Sequence, residues 1–281
     1  MNMNEIISYF SDIPSSHRSA ILVGGITIFW WLEKAFPLFR FQYKKWQHAG
    51  INFFFTATTI VINFLLAFLL LKTTNFTEEN HFGLLHWLPI SHPLISTLLG
   101  LLLLDLIGAY FVHWLQHQVP FLWRFHLIHH SDTWIDTTSA NRHHPGESVL
   151  RFAFTCIAVL LIGCPMWLAF LYQTLSLLAS QFEHANIFLP KKLDQFLGVF
   201  IVTPNMHKVH HHHVLPYTDS NYGNMFSFWD RLFGTYKHLS MDQIVYGIDT
   251  YPDANEHNNL AALLKTPTNA DRNKALNEKN K

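Results

Sequence analysis

The chain has 281 residues, 49% of them apolar and only 14% charged, and its 19 basic and 19 acidic side chains leave it formally neutral. No lysine–arginine cluster offers a nucleic-acid surface. The apolar residues fall in blocks of near bilayer-spanning length, which points to an integral membrane protein and not to one or two soluble domains.

Residues 1–18 are short and mixed, an expected interfacial lead-in. Ala20 to Phe36 is the first spanning candidate, emerging near Glu33 and Lys34. It follows His17 and Arg18 and lacks a small-residue cleavage pattern, so it reads as a retained anchor and not as a secretory signal. Residues 37–48 carry Arg40, Lys44 and Lys45 among aromatics. Gly50 to Leu71 is an uncharged span, and residues 72–92 read as a polar loop. Pro93 to Val112 is the next span, interrupted only by Asp105. The positive-inside rule puts the Arg40–Lys45 loop in the cytoplasm, and therefore also the histidines that begin at His113.

The block from Val149 to Ala179 is broken by Gly163-Cys164-Pro165. Two arms of roughly fifteen residues are short for a full crossing. The expectation is a partly inserted helical hairpin that enters and leaves on one side, its turn sheltered by protein or lying near the interface. Cys156 and Cys164 lie in this block and read as small buried hydrophobes. Residues 181–256 form an expected histidine-rich helical cap, and residues 264–281 a loose charged tail. The whole is one all-α integral membrane unit, residues 1–281. Residues 19–112 supply about three spanning helices, 113–148 the first histidine region, and 149–180 the hairpin.

Histidine is the compositional outlier, with 20 copies, more than half of them between His113 and His213. His113 and His117 are one helical turn apart. His126, His129 and His130 repeat the pattern after Pro120, and His207, His210 and His211 repeat it again with the same spacing. Positions i, i+3 and i+4 share one helix face, so each HxxHH element can aim three imidazoles at one point. Eight nitrogens are too many for one metal ion and suit two. His144 and His184 are weaker candidates for the same set. His143, His212 and His213 read as surplus, because adjacent helical residues point apart. His48, His81, His86, His92, His238 and His257 read as structural or exposed.

Asp105 is costly inside an apolar span and needs a polar partner. Two turns before His113, it is expected to accept a hydrogen bond from the unliganded ring nitrogen of a nearby histidine. A pore or proton relay is the competing reading. Tyr110, Asp132 and Asn205 are further candidates for supporting the ligands.

Imidazole suits iron, zinc, copper or nickel. Zinc supplies no redox electrons, whereas two irons held by nitrogen can reduce dioxygen and oxidise an unactivated C–H bond. A site at the membrane face implies a lipid substrate. Trp114, Trp123, Trp134 and Trp167 fit an interfacial belt. There is no GxGxxG fingerprint, CxxCH motif or iron–sulfur cysteine set, so electrons must come from an external carrier protein or reductase.

Six ordered stretches, DLIGAYFVHWLQH, LWRFHLIHHSD, TSANRHHPGE, FEHANIFLP, VTPNMHKVHHH and NYGNMFSFWDRLFGTY, resemble the fatty acid hydroxylase superfamily, also called the sterol desaturase family. The resemblance runs from Leu101 to Tyr236. It implies a cytoplasmic-side di-iron centre that hydroxylates or desaturates a lipid with dioxygen and external reductant. It implies His113, His117, His126, His129, His130, His207, His210 and His211 as metal ligands, with His144 and His184 completing the shell. Asn221, Trp229 and Asp230 would brace the cap. Trp114 and Leu115 depart from the basic residue common after the first histidine, and His212 from a small polar one. These departures touch substrate choice more than catalysis. Hydroxylation is slightly favoured over desaturation. The rival readings are a catalytically silent lipid-binding member and a membrane metal-transport protein, the latter disfavoured because the first two spans offer almost no polar ligands.

Overall fold

The computed structural model describes residues 2–249 and 257–268. Among them the chain is helical, with two isolated antiparallel bridges, Pro37 to Ile187 and Ile201 to Phe226. Helix α1 (Met3–Ser11) is opened by an Asn2–Glu5 capping box, and α2 (Ser15–Ala35) follows.

Helix α3 (Lys45–Glu79) is longer than the expected span, running 35 residues and about 52 Å. The polar stretch expected to leave the helix at Lys72 stays helical to Glu79. Thr73, Thr74 and Thr77 return their hydroxyls to carbonyls one turn back, so polar residues continue the helix without orphaned groups. A short α4 (Leu84–Trp87) then leads to α5 (Pro93–Asp105), a π-helical segment (Leu106–Phe111) and α6 (Val112–Gln118).

Among the described residues, three helical stretches are long and apolar enough to cross a membrane: residues 45–87, 93–118 and 145–162. They are not quite the expected three. Helix α2 falls outside the set because Ser15 to Ser19, Gly24–Gly25 and Glu33–Lys34 dilute its apolar run. Its place is taken by α8 (Pro145–Ile162), the first arm of the hairpin, whose second arm is α9 (Met166–His184).

The hairpin turns at Gly163, which caps α8 in the left-handed region at φ 72°. A Cβ there would lie 2.5 Å from the Phe82 carbonyl oxygen. Gly83 meets Gly163 from the other side at φ 110°, so two glycines let the 82–86 segment cover the turn. The main core lies beside this turn, where Leu104, Val159, Ile162, Cys164 and Leu168 pack together.

At the far end of the hairpin, α7 (Pro120–His130) and α11 (Pro204–His210) complete the histidine end, with α10 (Lys191–Leu197) and α12 (Phe228–Leu232) alongside. The tail expected to be loose from residue 264 is ordered as far as it is described. Helix α13 (Leu260–Lys265) packs Leu263 against Ile51, Phe55 and Ile128, and Thr266 and Pro267 are buried. The apolar run Leu260 to Leu264 supplies the packing stripe that the charged residues after it obscured. Residues 250–256 and 269–281 lie outside the described part.

Candidate metal centre

Helices α6, α7, α9 and α11 end together and bring nine imidazoles into two adjoining groups. His113, His117, His126, His130 and His210 form one, and His129, His184, His207 and His211 the other, with ligand-capable atoms within 4.8 Å of one another in each. The i, i+3, i+4 register puts His126 and His130 in the first group and His129 in the second. The HxxHH helix α7 therefore feeds both. Residues 207–211 divide in the same way: His210 joins the first group, His207 and His211 the second. The groups touch through the stacked rings of His130 and His211, 4.6 Å apart.

Hydrogen bonds fix how these rings face. His113 Nδ1 donates to the Tyr222 carbonyl at 3.0 Å and His210 Nδ1 to the Ser220 carbonyl at 2.6 Å. A carbonyl can only accept, so each Nδ1 carries the proton and each Nε2 keeps its lone pair. His117 Nδ1 meets Asp219 at 3.0 Å and His126 Nδ1 meets Glu147 at 2.8 Å. Among the described residues the Nε2 atoms of all four rings are buried and unpartnered, as are both nitrogens of His130. Leaving such atoms without a partner costs about 1–3 kcal/mol each.

In the second group, His184 Nε2 lies 3.1 Å from His129 Nε2 and 3.0 Å from His207 Nε2, and His211 Nε2 is 3.1 Å from His207 Nε2. His184 Nδ1 donates to the Ser180 carbonyl. Donors at right angles around an ion with bonds of about 2.1 Å stand about 3.0 Å apart, so these spacings fit a shared ion.

Burial pushes His126 down to about 4. It pushes His129, His130, His207, His210 and His211 well below the usual imidazole range, with help from neighbouring rings. Neutral imidazole is the ligating form, so the fold supplies donors that need no deprotonation at neutral pH.

One expected ligand lies elsewhere. His144 is the N-cap of α8; its Nδ1 accepts from Gly146 N–H and its Nε2 donates to the Leu264 carbonyl. Both nitrogens are spent, which leaves no lone pair for a metal. His143, read as surplus, is the inward member of the pair. Its ring stacks on His129 at 4.9 Å, and its Nδ1 is 3.1 Å from Glu147. The two do point apart, but residues 142–144 are non-helical and the chain turns His143 inward. His212 and His213 stay outside both groups, and His212 Nδ1 accepts from Val245 N–H.

The expected supporting residues also resolve differently. Asp105 touches no histidine. It accepts from the Met225 and Phe226 amides at 3.2 Å and from Trp229 Nε1 at 3.0 Å, because the 225–229 turn packs against that face of the helix. Tyr110 bonds Thr235 at 2.7 Å. Asp132 accepts from His48, Ser139 and the Trp134 amide, which makes His48 a buried brace; charges on His48 and Arg142 outweigh burial and hold its carboxyl well below the usual range. The Asn205 Oδ1 is buried with no partner among the described residues.

Sequence reasoning missed the partners that do orient the rings: Glu147, Asp219 and the carbonyls of Ser180, Ser220 and Tyr222. Only Glu147 left a signal, four residues after His143 in RHHPGE. Asp230 and Asn221 hold the 220–237 segment in place. Asp230 accepts from the Tyr222 and Gly223 amides, and Asn221 donates to the Met206 and Lys237 carbonyls.

Behind α7, Arg142 is fully buried and donates to the Ile128 and His257 carbonyls and to Asn52 Oδ1. It ties the segment leading into α13 to the helix that carries three of the imidazoles.

Residues 97–235 match the fatty acid hydroxylase family. The chain is similar to an ornithine lipid hydroxylase of Rhizobium tropici, 30% identical over 54% of this chain and 45% of the relative. It is also similar to an alkylglycerol monooxygenase of Danio rerio, 31% identical over 52% of this chain and 31% of the relative. A cholesterol 25-hydroxylase-like protein of Danio rerio is 32% identical over 48% of this chain and 53% of the relative. The matched region thus spans less than half the length of the first two. No solved structure matches the chain.

Proposed function

We propose that this chain, whose residues 97–235 match the fatty acid hydroxylase family, is a member of that superfamily and a membrane-embedded lipid oxidoreductase that hydroxylates its substrate with dioxygen. The reading rests on the two adjoining nests of buried imidazoles beside helices long and apolar enough to cross a membrane. His113, His117, His126, His130 and His210 would hold one iron. His129, His184, His207 and His211 would hold the second. When bound, such a pair supplies the redox chemistry by which one oxygen atom enters a lipid C–H bond. The other leaves as water, with two electrons and two protons from outside.

The protein's own part is positional. Tyr222, Ser220 and Ser180 lock imidazole tautomers through their carbonyls, and Glu147 and Asp219 do so through carboxylates. The fold excludes water by burying His126, His130, His207 and His210 almost completely. Arg151, Asn224 and Ala109 line a small cleft shared with His113 and His207.

The reductant would be a separate electron-transfer protein or reductase. The cytoplasmic side is favoured because the basic loop at residues 40–45 sits at the histidine end, where Tyr43 bonds Asp136. The hydroxylase and monooxygenase activities named for the relatives favour oxygen insertion over desaturation.

The test is metal analysis joined to isotope labelling of the purified protein in lipid. Two irons per chain, and label from ¹⁸O₂ in a lipid alcohol when reductant is supplied, are expected. Two zincs per active chain with no dependence on iron would overturn the proposal.

A further inference from the structure

The segments Lys191–Phe200 and Met225–Phe233 carry large apolar side chains that stay largely exposed among the described residues. Leu193, Phe196, Val199, Phe200, Leu232 and Phe233 are 44–68% exposed. Three exposed cations, Lys191, Lys192 and Arg231, lie among them. Such a surface is costly in water.

The two segments are joined, and they are pinned at a definite depth. Ser227 N–H donates to the Phe200 carbonyl and Ser227 Oγ to the Gly198 carbonyl. Val202 N–H donates to the Met225 carbonyl. The next links run to Asp105, which accepts from Met225, Phe226 and Trp229. Phe233 stacks on Tyr110 at 5.2 Å.

Asp105 and Tyr110 belong to the membrane-crossing stretch 93–118. A crossing takes about twenty residues. Any twenty-residue window within 93–118 leaves Asp105 six or more residues from either face, about 9 Å at 1.5 Å per residue. The turn that Asp105 holds is therefore level with lipid chains, and Phe111, six residues further along the same stretch, is 46% exposed.

We propose that residues 191–200 and 225–233 form a re-entrant lip that sits in the lipid, not in the aqueous cap. Its aromatic and aliphatic side chains contact acyl chains, and Lys191, Lys192 and Arg231 reach headgroup phosphates. The turns of α10 and α12 and the bonds above pair part of its backbone, which lowers the cost of entering hydrocarbon. Asn224, at the root of the lip, lines the cleft to the histidines. The lip is thus placed to admit substrate from the bilayer side, a role that rests on the function proposed above.

The test uses the full chain in phosphatidylcholine bilayers, with single cysteines carrying bimane in a Cys156→Ser, Cys164→Ser background. The lip positions are Phe196→Cys, Phe200→Cys and Phe233→Cys. Phe64→Cys on α3 serves as the lipid reference and Asp242→Cys as the aqueous one. Brominated acyl chains should quench the three lip labels at least twofold, as at position 64, while aqueous iodide quenches only position 242. Iodide quenching at the lip would overturn the proposal. So would indifference to both quenchers, which would mean that a second copy or another protein covers the surface. The readout needs neither metal nor turnover, so it can fail without the oxygenase proposal failing, and the reverse.

Discussion

Glu147 Oε1 accepts from His126 Nδ1 at 2.8 Å, and neither side chain is more than 1% exposed. The same oxygen is 2.9 Å from Gln116 Nε2 and 3.1 Å from His143 Nδ1. One carboxylate thus orients a ring in the first histidine group and the ring stacked on His129 in the second. Glu147→Ala should weaken metal retention by about 10–100-fold, the usual cost of losing such a partner. Glu147→Gln, which keeps an acceptor but not the charge, should lose less. Mass-spectrometric metal counts along a chelator titration would show this; parent-like retention in both variants would refute the role.

The neighbours His143 and His144 should behave oppositely. His143→Ala removes the ring stacked on His129 and should lower metal retention several-fold. His144→Ala removes an N-cap and the link to Leu264, at about 1 kcal/mol of stability, and should leave metal content unchanged. Thermal unfolding in detergent, run beside metal analysis, separates the two effects. A loss of metal in the His144 variant alone would reverse the assignment.

Asp105→Ala strands three donors, the amides of Met225 and Phe226 and the Trp229 indole. At about 1–3 kcal/mol for each buried orphan, the loss should be several kcal/mol. Protease sensitivity should rise first in residues 222–235. Asp105→Asn keeps an acceptor for part of that set and should recover part of the loss. Unaltered unfolding of the alanine variant would count against the anchor.

Acid should destabilise the metal-free protein. His126 is held at about 4 by burial, against an unfolded value of about 6.5. Between those values the unfolded chain binds a proton that the folded chain refuses, so stability rises with pH across the window and falls as pH drops from about 6.5 towards 4. The other deeply buried imidazoles act in the same direction. Unfolding midpoints measured at pH 8, 6 and 5 should decline in that order, and a flat or rising series towards acid would contradict it.

Much of this centre is written in local spacing. His126-x-x-His129-His130 and His207-x-x-His210-His211 announce shared helix faces, and their convergence follows once the hairpin returns the chain to the same end. What spacing could not supply is the partner at long range. Asp219 reaches His117 across 102 residues and the Tyr222 carbonyl reaches His113 across 109, both through irregular chain that no periodicity describes. The His143–His144 choice depended on the non-helical backbone before Pro145. Asp105 was recognisable as a group needing a partner, but its partner came from the 225–229 turn, whose packing no helical pattern foretells. Helix α3 outran its expected end because the threonines after Leu71 satisfy themselves internally.

The backing of α7 has a bearing on when the protein matures. Ile128 rests on Leu263, and Arg142 bridges that helix to the His257 carbonyl, so the ribosome has made most of the chain before three of the nine imidazoles gain their rear support. A nascent chain stalled before residue 263 is accordingly expected to hold any metal bound by these rings poorly, because α7 then lacks the contacts of Leu263 and the His257 carbonyl.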